Sequence, residues 1–454
     1  MVFSSPIFLF LFLPLIFLAE RLCPGLRQKN TVLALGSLIF YSFGQLWALP
    51  LFLLSVTVNY LAGLLLSRDR GVRNRRILTV AVLLNVATLA VFKYTEAIVT
   101  GLGFPSTGIV LPIGISFYTF QGMSYVIDVY RDRSHAAHSF GKLLLYLAFF
   151  PQLIAGPIVK YHDISAQIDQ RRTTPARTEE GLCRFLLGLG KKLLIADAVG
   201  LVADTAFLEG VGHTPLAWLG ALCYSLQIYY DFSGYSDMAI GMGAMFGFTF
   251  AENFLHPYAA RSIRDFWRRW HISLSSWFRE YLYIPLGGSR RGQARAALNR
   301  FLVFLCTGLW HGANWTFLVW GLGHGLLSSL EGRFRAPLER LQAKAPGRIL
   351  YRGFTLLCVM LLFVVFRAES LSAAWAMLRS LFIPGLTAAG TAALARVFHP
   401  VMAGILVLAL IFSQEWKLPP LPPLLRRAGS LVLLALCILS MSTGGFHPFL
   451  YFQF

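Results

Sequence analysis

Charge is what this 454-residue sequence has least of. Asp, Glu, Lys and Arg make up 13% of it, about half the share found in ordinary soluble domains. Hydrophobic residues make up 56%, and the mean hydropathy is +0.61. A conventional soluble domain is thereby excluded, because several uncharged runs approach the ~20 apolar residues that span a bilayer core. Acidic residues are scarcer than basic ones, 21 against 40, for a formal net charge of +19. In a soluble chain that excess would point to nucleic acid. Here Lys and Arg gather in short loops between apolar runs, the positive-inside pattern, and no nucleic-acid partner is expected. Cysteine is sparse and scattered: Cys23, Cys183, Cys223, Cys306, Cys358 and Cys437 stand mostly in apolar surroundings, none with C-x-x-C spacing. Neither a disulfide framework nor a metal site is expected. The opening "MVFSSPIFLFLFLPLIFLAERL" lacks a basic n-region and a small-residue cleavage site, so it reads as a first spanning helix that stays in place. "PLGGSRRG" (285–292) is too short and too unlike G-x-x-x-x-G-K-[ST] to cradle a nucleotide phosphate.

What the sequence has is apolar runs. They fall near 5–20, 31–48, 50–67, 77–96, 108–129, 143–158, 182–204, 214–231, 236–250, 300–318, 319–331, 350–366, 400–413 and 430–442. Two of them, 143–158 and 236–250, are too short or too polar to cross alone. The pattern predicts an all-α polytopic membrane protein with about 11–13 membrane helices, some re-entrant. Broken segments must then be wrapped in protein or line a cavity.

Loop charge sets the orientation. "ERLCPGLRQKN" (20–30) and "SRDRGVRNRR" (67–76) are basic, while "LWALP" (46–50) and "TGLGFPSTG" (100–108) carry no Lys or Arg. The basic loops, the arginine-rich 260–300 segment, 333–348 and 417–427 are expected in the cytoplasm, and both termini outside. The loop 367–399 then lies outside. Within it, "ESLSAAWAMLRSLF" (369–382) repeats Leu371, Trp375, Leu378 and Phe382 at helical spacing. This predicts an amphipathic helix on the outer surface or against a partner, or a mere connection.

Three polar sites interrupt the grease. The first is "TGLWHGANW" (307–315). On a helix Thr307, His311 and Asn314 share one face, Trp310 and Trp315 flank it, and Gly308 and Gly312 allow close backbone approach. An ionisable group at membrane depth usually faces a cavity or the bundle interior. A lone histidine there could merely tie helices together, but the clustered stripe favours a functional cavity. His324, in "WGLGHGLL" (320–327), reads as a packing residue. The second site is "RDFWRRWHISLSSWFREYLYIPLGGSRRG" (264–292). Trp267, Trp270 and Trp277 suit a membrane interface. Arg264, Arg268 and Arg269 suit lipid headgroups or a phosphorylated ligand. His271 and Ser275 lie at i and i+4. Two readings stand open for this segment: an amphipathic interfacial helix, or a vestibule for a phosphate-bearing donor. The third is "QIYYDFSGYSDMAIG" (227–241), whose Asp231 and Asp237 are expected to pair with arginines of 261–269.

These segments together resemble the membrane-bound O-acyltransferase family, and its bacterial alginate O-acetyltransferase branch in particular. The resemblance is carried by "LPIGISFYTFQGMSYVIDVYR" (111–131), "FFPQLIAGPIVKY" (149–161), "YYDFSGYSDMAIG" (229–241), "DFWRRWHISLSSWFREYLYIPLGG" (265–288), "GLWHGANWTFLVWG" (308–321) and the terminal "FLYFQF" (449–454). It implies one membrane-embedded domain over 1–454, with N-terminal helices in 1–100, a catalytic core in 108–331 and C-terminal helices in 350–454. The implied fold is a ring of helices around a central tunnel. It implies that His311 is the essential catalytic residue and His271 the second, less uniform one. Arg264, Arg268, Arg269, Trp267, Ser275 and Asn314 are the candidates for holding the donor. The implied donor is acetyl-coenzyme A on the cytoplasmic side of a bacterial inner membrane, with no permanently bound cofactor. The implied partner is an extracytoplasmic SGNH-type acetyltransferase that modifies a polysaccharide such as alginate. Teichoic-acid D-alanyl transfer and peptidoglycan O-acetylation are alternatives within the family. A transporter or flippase would show inverted repeats with paired broken helices, and the sequence has no internal repeat.

Overall fold

In the computed structural model the described residues are 1–68, 71–154, 156–416, 419, 421–443 and 449–450. Asp69 and Arg70 of the 67–76 loop, Ala155 of the 149–161 segment, positions 417, 418 and 420 of the 417–427 loop, and 451–454 of the terminal segment lie outside them. Every regular element among the described residues is helical, with no strand. That is one of the two solutions open to a backbone in hydrocarbon, which must satisfy its own N–H and C=O groups.

Four helices are individually long and apolar enough to cross a bilayer: Leu46–Arg68, Val72–Gly101, Ala345–Arg367 and Pro423–Ser442. Ala388–Val397 and Pro400–Phe412 qualify as a pair bent by 75°. Other apolar runs are built differently from their sequence appearance. The runs at 214–231 and 236–250 form one unbroken helix, Thr214–Met245. The run at 182–204 is the middle of a longer helical stretch in which Pro175–Gly190 passes through a π-helical turn, Lys191–Ala196, into Asp197–Glu209. The 300–331 run breaks at 312–314 rather than near 318, giving helices Gln293–His311 and Trp315–Arg333.

The chain forms two compact units: Met1–Gly188 with Tyr235–Glu252, and Leu189–Gly234 with Asn253–Phe454. In the first, the short 143–158 run folds as Phe140–Ala148, a break at Phe149 and the single turn Phe150–Leu153. The break is wrapped in protein, as a broken segment at membrane depth must be. Phe150 and Gln152 are fully buried. The Phe150 N–H donates to Ser37 Oγ at 3.1 Å, and Gln152 Nε2 donates to the Tyr146 carbonyl at 2.6 Å. Asp237 belongs to this unit and is held by Arg184, whose guanidinium also reaches Glu252.

In the second unit Gly308 and Gly321 let two helices touch backbone to backbone. A Cβ at Gly308 would lie 2.6 Å from the Phe317 carbonyl, and one at Gly321 would lie 2.5 Å from the Phe304 carbonyl. This close approach fixes the end of Gln293–His311 against Trp315–Arg333. The 369–382 segment is a helix, Leu371–Phe382, but it has two apolar faces. Ala374, Met377 and Leu381 are buried in protein, whereas Leu371, Trp375 and Phe382 face outward, exposed by 43, 68 and 60%.

Candidate active site

His311 is the last residue of its helix. Gly312 continues in extended backbone (φ 166°, ψ 179°), and Asn314 becomes the cap of the next helix. The predicted Thr307–His311–Asn314 stripe therefore does not exist as one face. The Asn314 carboxamide accepts the Thr316 N–H at 3.1 Å and donates to the Glu369 carbonyl at 2.8 Å. Asn is a preferred N-cap because its side-chain oxygen satisfies an orphan amide of the first turn. Thr307 returns its hydroxyl to the Val303 carbonyl at 2.8 Å. The imidazole of His311 stands at the helix end in a box of rings set edge-on to it: Trp310 at 4.9 Å, Trp320 at 5.1 Å and Phe366 at 5.1 Å between centroids.

His271 reaches the same place from another direction. It sits in the left-handed region (φ 43°, ψ 53°), a conformation that costs a non-glycine residue about 1–2 kcal/mol. It splits the 264–292 segment into two short helices, Ile263–Arg269 and Ile272–Phe278. The segment is therefore not one interfacial helix. Trp270 and Trp277 turn into the core, exposed by 4 and 6%, and Trp267 donates its indole N–H to His324 Nδ1 at 3.2 Å. Ser275 stands in the first turn after the histidine, its N–H on the His271 carbonyl at 3.0 Å. The His271 ring packs on Phe232 (4.6 Å) and Trp310 (6.2 Å). Burial alone pushes its pKa down to about 3, so the imidazole is neutral at physiological pH.

His271 and His311 line one cavity of about 40 Å³, walled by Trp267, Trp270, Trp320, Phe363 and Phe366. That is room for about three waters, or for a two-carbon acyl group. Ser275 and Asn314 are not on its walls. Of the candidates for holding a donor, Trp267 faces this cavity. Arg264, Arg268 and Arg269 face a separate open cleft of about 640 Å³ with Arg261, Asp265 and Glu415. Arg269 is tied to Asp265 at 3.1 Å and to Glu415 at 2.9 Å. Arg268 is exposed and makes no ion pair among the described residues.

Asp231 also lines the cavity, a role its sequence context did not suggest. Its partner is not an arginine of 261–269 but Lys192, at 2.7 Å; Lys192 also pairs with Asp197 at 2.7 Å. The reason is helical phase. Positions 231 and 237, six residues apart on one helix, point about 120° apart, and each meets whatever lies on its own side. Lys192 is carried inward by the π-helical turn, a device that often marks functional positions. The second carboxylate oxygen of Asp231 accepts the Leu450 N–H at 3.0 Å, and Leu450 closes part of the cavity wall. Lys192 stands as a charge within the apolar run 182–204 and Leu450 within the terminal "FLYFQF" (449–454), but neither pattern pointed to Asp231.

Two imidazoles thus line one small, largely apolar cavity. Residues 37–372 match the model of MBOAT, the membrane-bound O-acyltransferase family. The chain is 40% identical to "Probable alginate O-acetylase AlgI" of Azotobacter vinelandii, with all of both chains covered. It is 36% identical to the peptidoglycan O-acetyltransferase of Helicobacter pylori, over 84% of this chain and 80% of the relative. It is 28% identical to the teichoic acid D-alanyltransferase of Bacillus subtilis, over 51% of this chain and 61% of the relative. The chain belongs to the membrane-bound O-acyltransferase family; it is a multi-helix membrane protein and an O-acyltransferase.

Proposed function

We propose that the cavity holding His271 and His311 transfers an acetyl group from acetyl-coenzyme A, entering from the cytoplasm across a bacterial inner membrane. The acetyl group is passed on for O-acetylation of an extracytoplasmic polysaccharide such as alginate, through an SGNH-type partner acetyltransferase. The observation that carries this reading is the convergence of two histidines on one small apolar cavity. The full-length likeness to alginate O-acetylases supports the acetyl group and the polysaccharide. In the transfer, His311 takes the proton of the attacking hydroxyl as its oxygen bonds to the thioester carbonyl carbon. The carbon–sulfur bond then breaks and the imidazolium returns the proton to the leaving thiolate. General base catalysis of this kind is worth about 10²–10⁴ in rate.

The developing oxyanion needs a donor. Asn314 is engaged in its cap, but the Trp320 indole N–H is buried without a partner among the described residues, on a wall of the cavity. Trp320→Phe keeps an aromatic ring at the position while removing that N–H together with the five-membered half of the indole. It is expected to lower kcat about 10²–10³-fold, the range seen for loss of one oxyanion donor, with little change in KM. A kcat within twofold of the parent would remove Trp320 from the mechanism.

The arginine cleft supplies the donor site. Arg264 and Arg268 fall at i and i+4 on one helix, while Trp267 between them faces the cavity. Arg264→Ala with Arg268→Ala is expected to raise the KM for acetyl-coenzyme A at least roughly tenfold and to leave kcat within about twofold. Charge-assisted phosphate contacts are made equally in ground and transition states. Arg269 is left intact because Asp265 and Glu415 already hold it. An unchanged KM in the folded double variant sinks this placement of the donor.

The reading as a whole is tested by giving purified protein radiolabelled acetyl-coenzyme A, with and without a co-expressed SGNH-type acetyltransferase. Label is expected on the partner and then on polysaccharide. Label on peptidoglycan instead would assign the chain to the activity of its Helicobacter relative, and no transfer to any acceptor would overturn the reading.

A further inference from the structure

His271 is held by one residue that sequence reasoning passed over. Asn253 is fully buried. Its own backbone is pinned beside the histidine, with the Ile272 N–H donating to the Asn253 carbonyl at 2.9 Å. Its side-chain oxygen Oδ1 accepts the Ser273 N–H at 3.2 Å and the Ser273 hydroxyl at 2.9 Å. The same oxygen lies 3.2 Å from His271 Nδ1.

These contacts favour one proton arrangement. A backbone N–H can only donate, so the carboxamide atom facing Ser273 N is the oxygen; turned over, the amide would set its NH₂ against that N–H. A carbonyl oxygen carries no hydrogen, so the contact with His271 is a hydrogen bond only when Nδ1 bears the proton. In a neutral ring Nε2 then holds a lone pair. That nitrogen is buried without a partner among the described residues, in a side chain on the cavity wall.

We propose that Asn253 is a positioning residue that locks His271 in its Nδ1–H tautomer, so that Nε2 is a standing hydrogen-bond acceptor for the hydroxyl that receives the acyl group. The tautomer stands on geometry alone, and the hydroxyl rests on the acyl-transfer reading above. The consequence is a division of labour. His271 orients the incoming O–H but cannot stabilise the oxyanion, and His311 takes the proton. An asparagine oxygen, unlike a carboxylate, adds no negative charge that would raise the pKa of the ring, so Nε2 stays a bare acceptor down to lower pH. The other titratable groups on the cavity walls are His311 and Asp231. Asp231 faces Lys192 at 2.7 Å, a cation it shares with Asp197, so its charge is offset in part.

The test uses full-length protein in lipid bilayers with ¹⁵N-labelled histidine. Solid-state NMR separates protonated from bare ring nitrogens, and His271→Gln identifies the signals that belong to position 271. Expected at pH 7 is a protonated Nδ1 with a bare Nε2. A protonated Nε2 with a bare Nδ1 overturns the proposal whether or not the protein transfers acetyl. In Asn253→Asp the 271 ring is expected to become doubly protonated at a pH at least about two units above that of the parent. Acetyl transfer by this variant is expected to be lost at a higher pH than in the parent, as the ring takes up its second proton, and to recover as pH rises above that point. Asn253→Ala is expected to lose activity with no recovery at high pH. Equal pH behaviour of the Asp and Ala variants also counts against the proposal. Should Asn253→Asp fail to fold, the spectrum of the unmutated protein decides. A correct tautomer in a protein that transfers no acetyl would leave the Asn253 assignment standing and remove the hydroxyl.

Discussion

His311→Gln is expected to abolish acetyl transfer, a loss of about 10²–10⁴-fold or more, while the protein inserts, extracts and elutes like its parent. Glutamine can hydrogen-bond, so it separates two roles that alanine would confuse. If His311 tied helices together, glutamine would largely preserve both fold and activity. If it accepts a proton, a neutral amide cannot replace it. The structure favours tolerance of the substitution by the fold. His311 is half-buried at a helix end beside a cavity, and the helix pair is fixed one turn earlier by the Gly308 backbone contact. Truncation beside a cavity also leaves space that water can fill. His271→Ala should lower activity less, because it removes an orienting acceptor and not the base. Rates measured at matched folded concentration decide between the roles, and near-parental turnover in His311→Gln removes the catalytic assignment.

The histidine was legible because a titratable group is costly at membrane depth and stands out against apolar neighbours. Its exact surroundings were not. Helical spacing placed Asn314 on the same face only by assuming that the helix continued, and "GAN" contains both a glycine that ends one helix and an asparagine that caps the next. Three tryptophans in a basic segment suggested a membrane interface. The left-handed backbone at His271, which no residue type announces, folded that segment in two and buried Trp270 and Trp277. Asp231 and Asp237 were correctly seen as groups needing partners, but the partners came from positions 192 and 184, beyond the reach of local pattern. The helical character of the chain was clear from its apolar runs. Where those runs break or fuse was set by tertiary contacts, as in the wrapped break at Phe149.

Lys192→Met is expected to be the most damaging single change to stability among the residues near the site. The Lys192 and Asp231 side chains are exposed by only 2 and 4%, and their charged atoms lie 2.7 Å apart. Taking ions out of water is expensive, and removing one partner leaves the other uncompensated, at a cost of about 3–5 kcal/mol. Here two carboxylates lose their cation together, since Asp197 shares Lys192. Lys192 also stands over the Phe449 ring at 4.7 Å, and Asp231 receives the Leu450 N–H, so the same pair anchors the segment that closes one wall of the cavity. Asp231→Asn should be milder. Lys192 keeps Asp197, and the amide oxygen still accepts from Leu450. The double variant Lys192→Met with Asp231→Leu is expected to regain at least about half of the stability lost in Lys192→Met, because the most deeply buried charge goes with its partner. It should not regain acetyl transfer, since the acceptor that holds Leu450 is gone. Thermal midpoints of detergent-extracted protein, read beside transfer rates, separate the two effects: an unchanged midpoint in Lys192→Met would show that the pair is not buried as a charged unit, and full activity in the double variant would show that the Leu450 anchor does not shape the site.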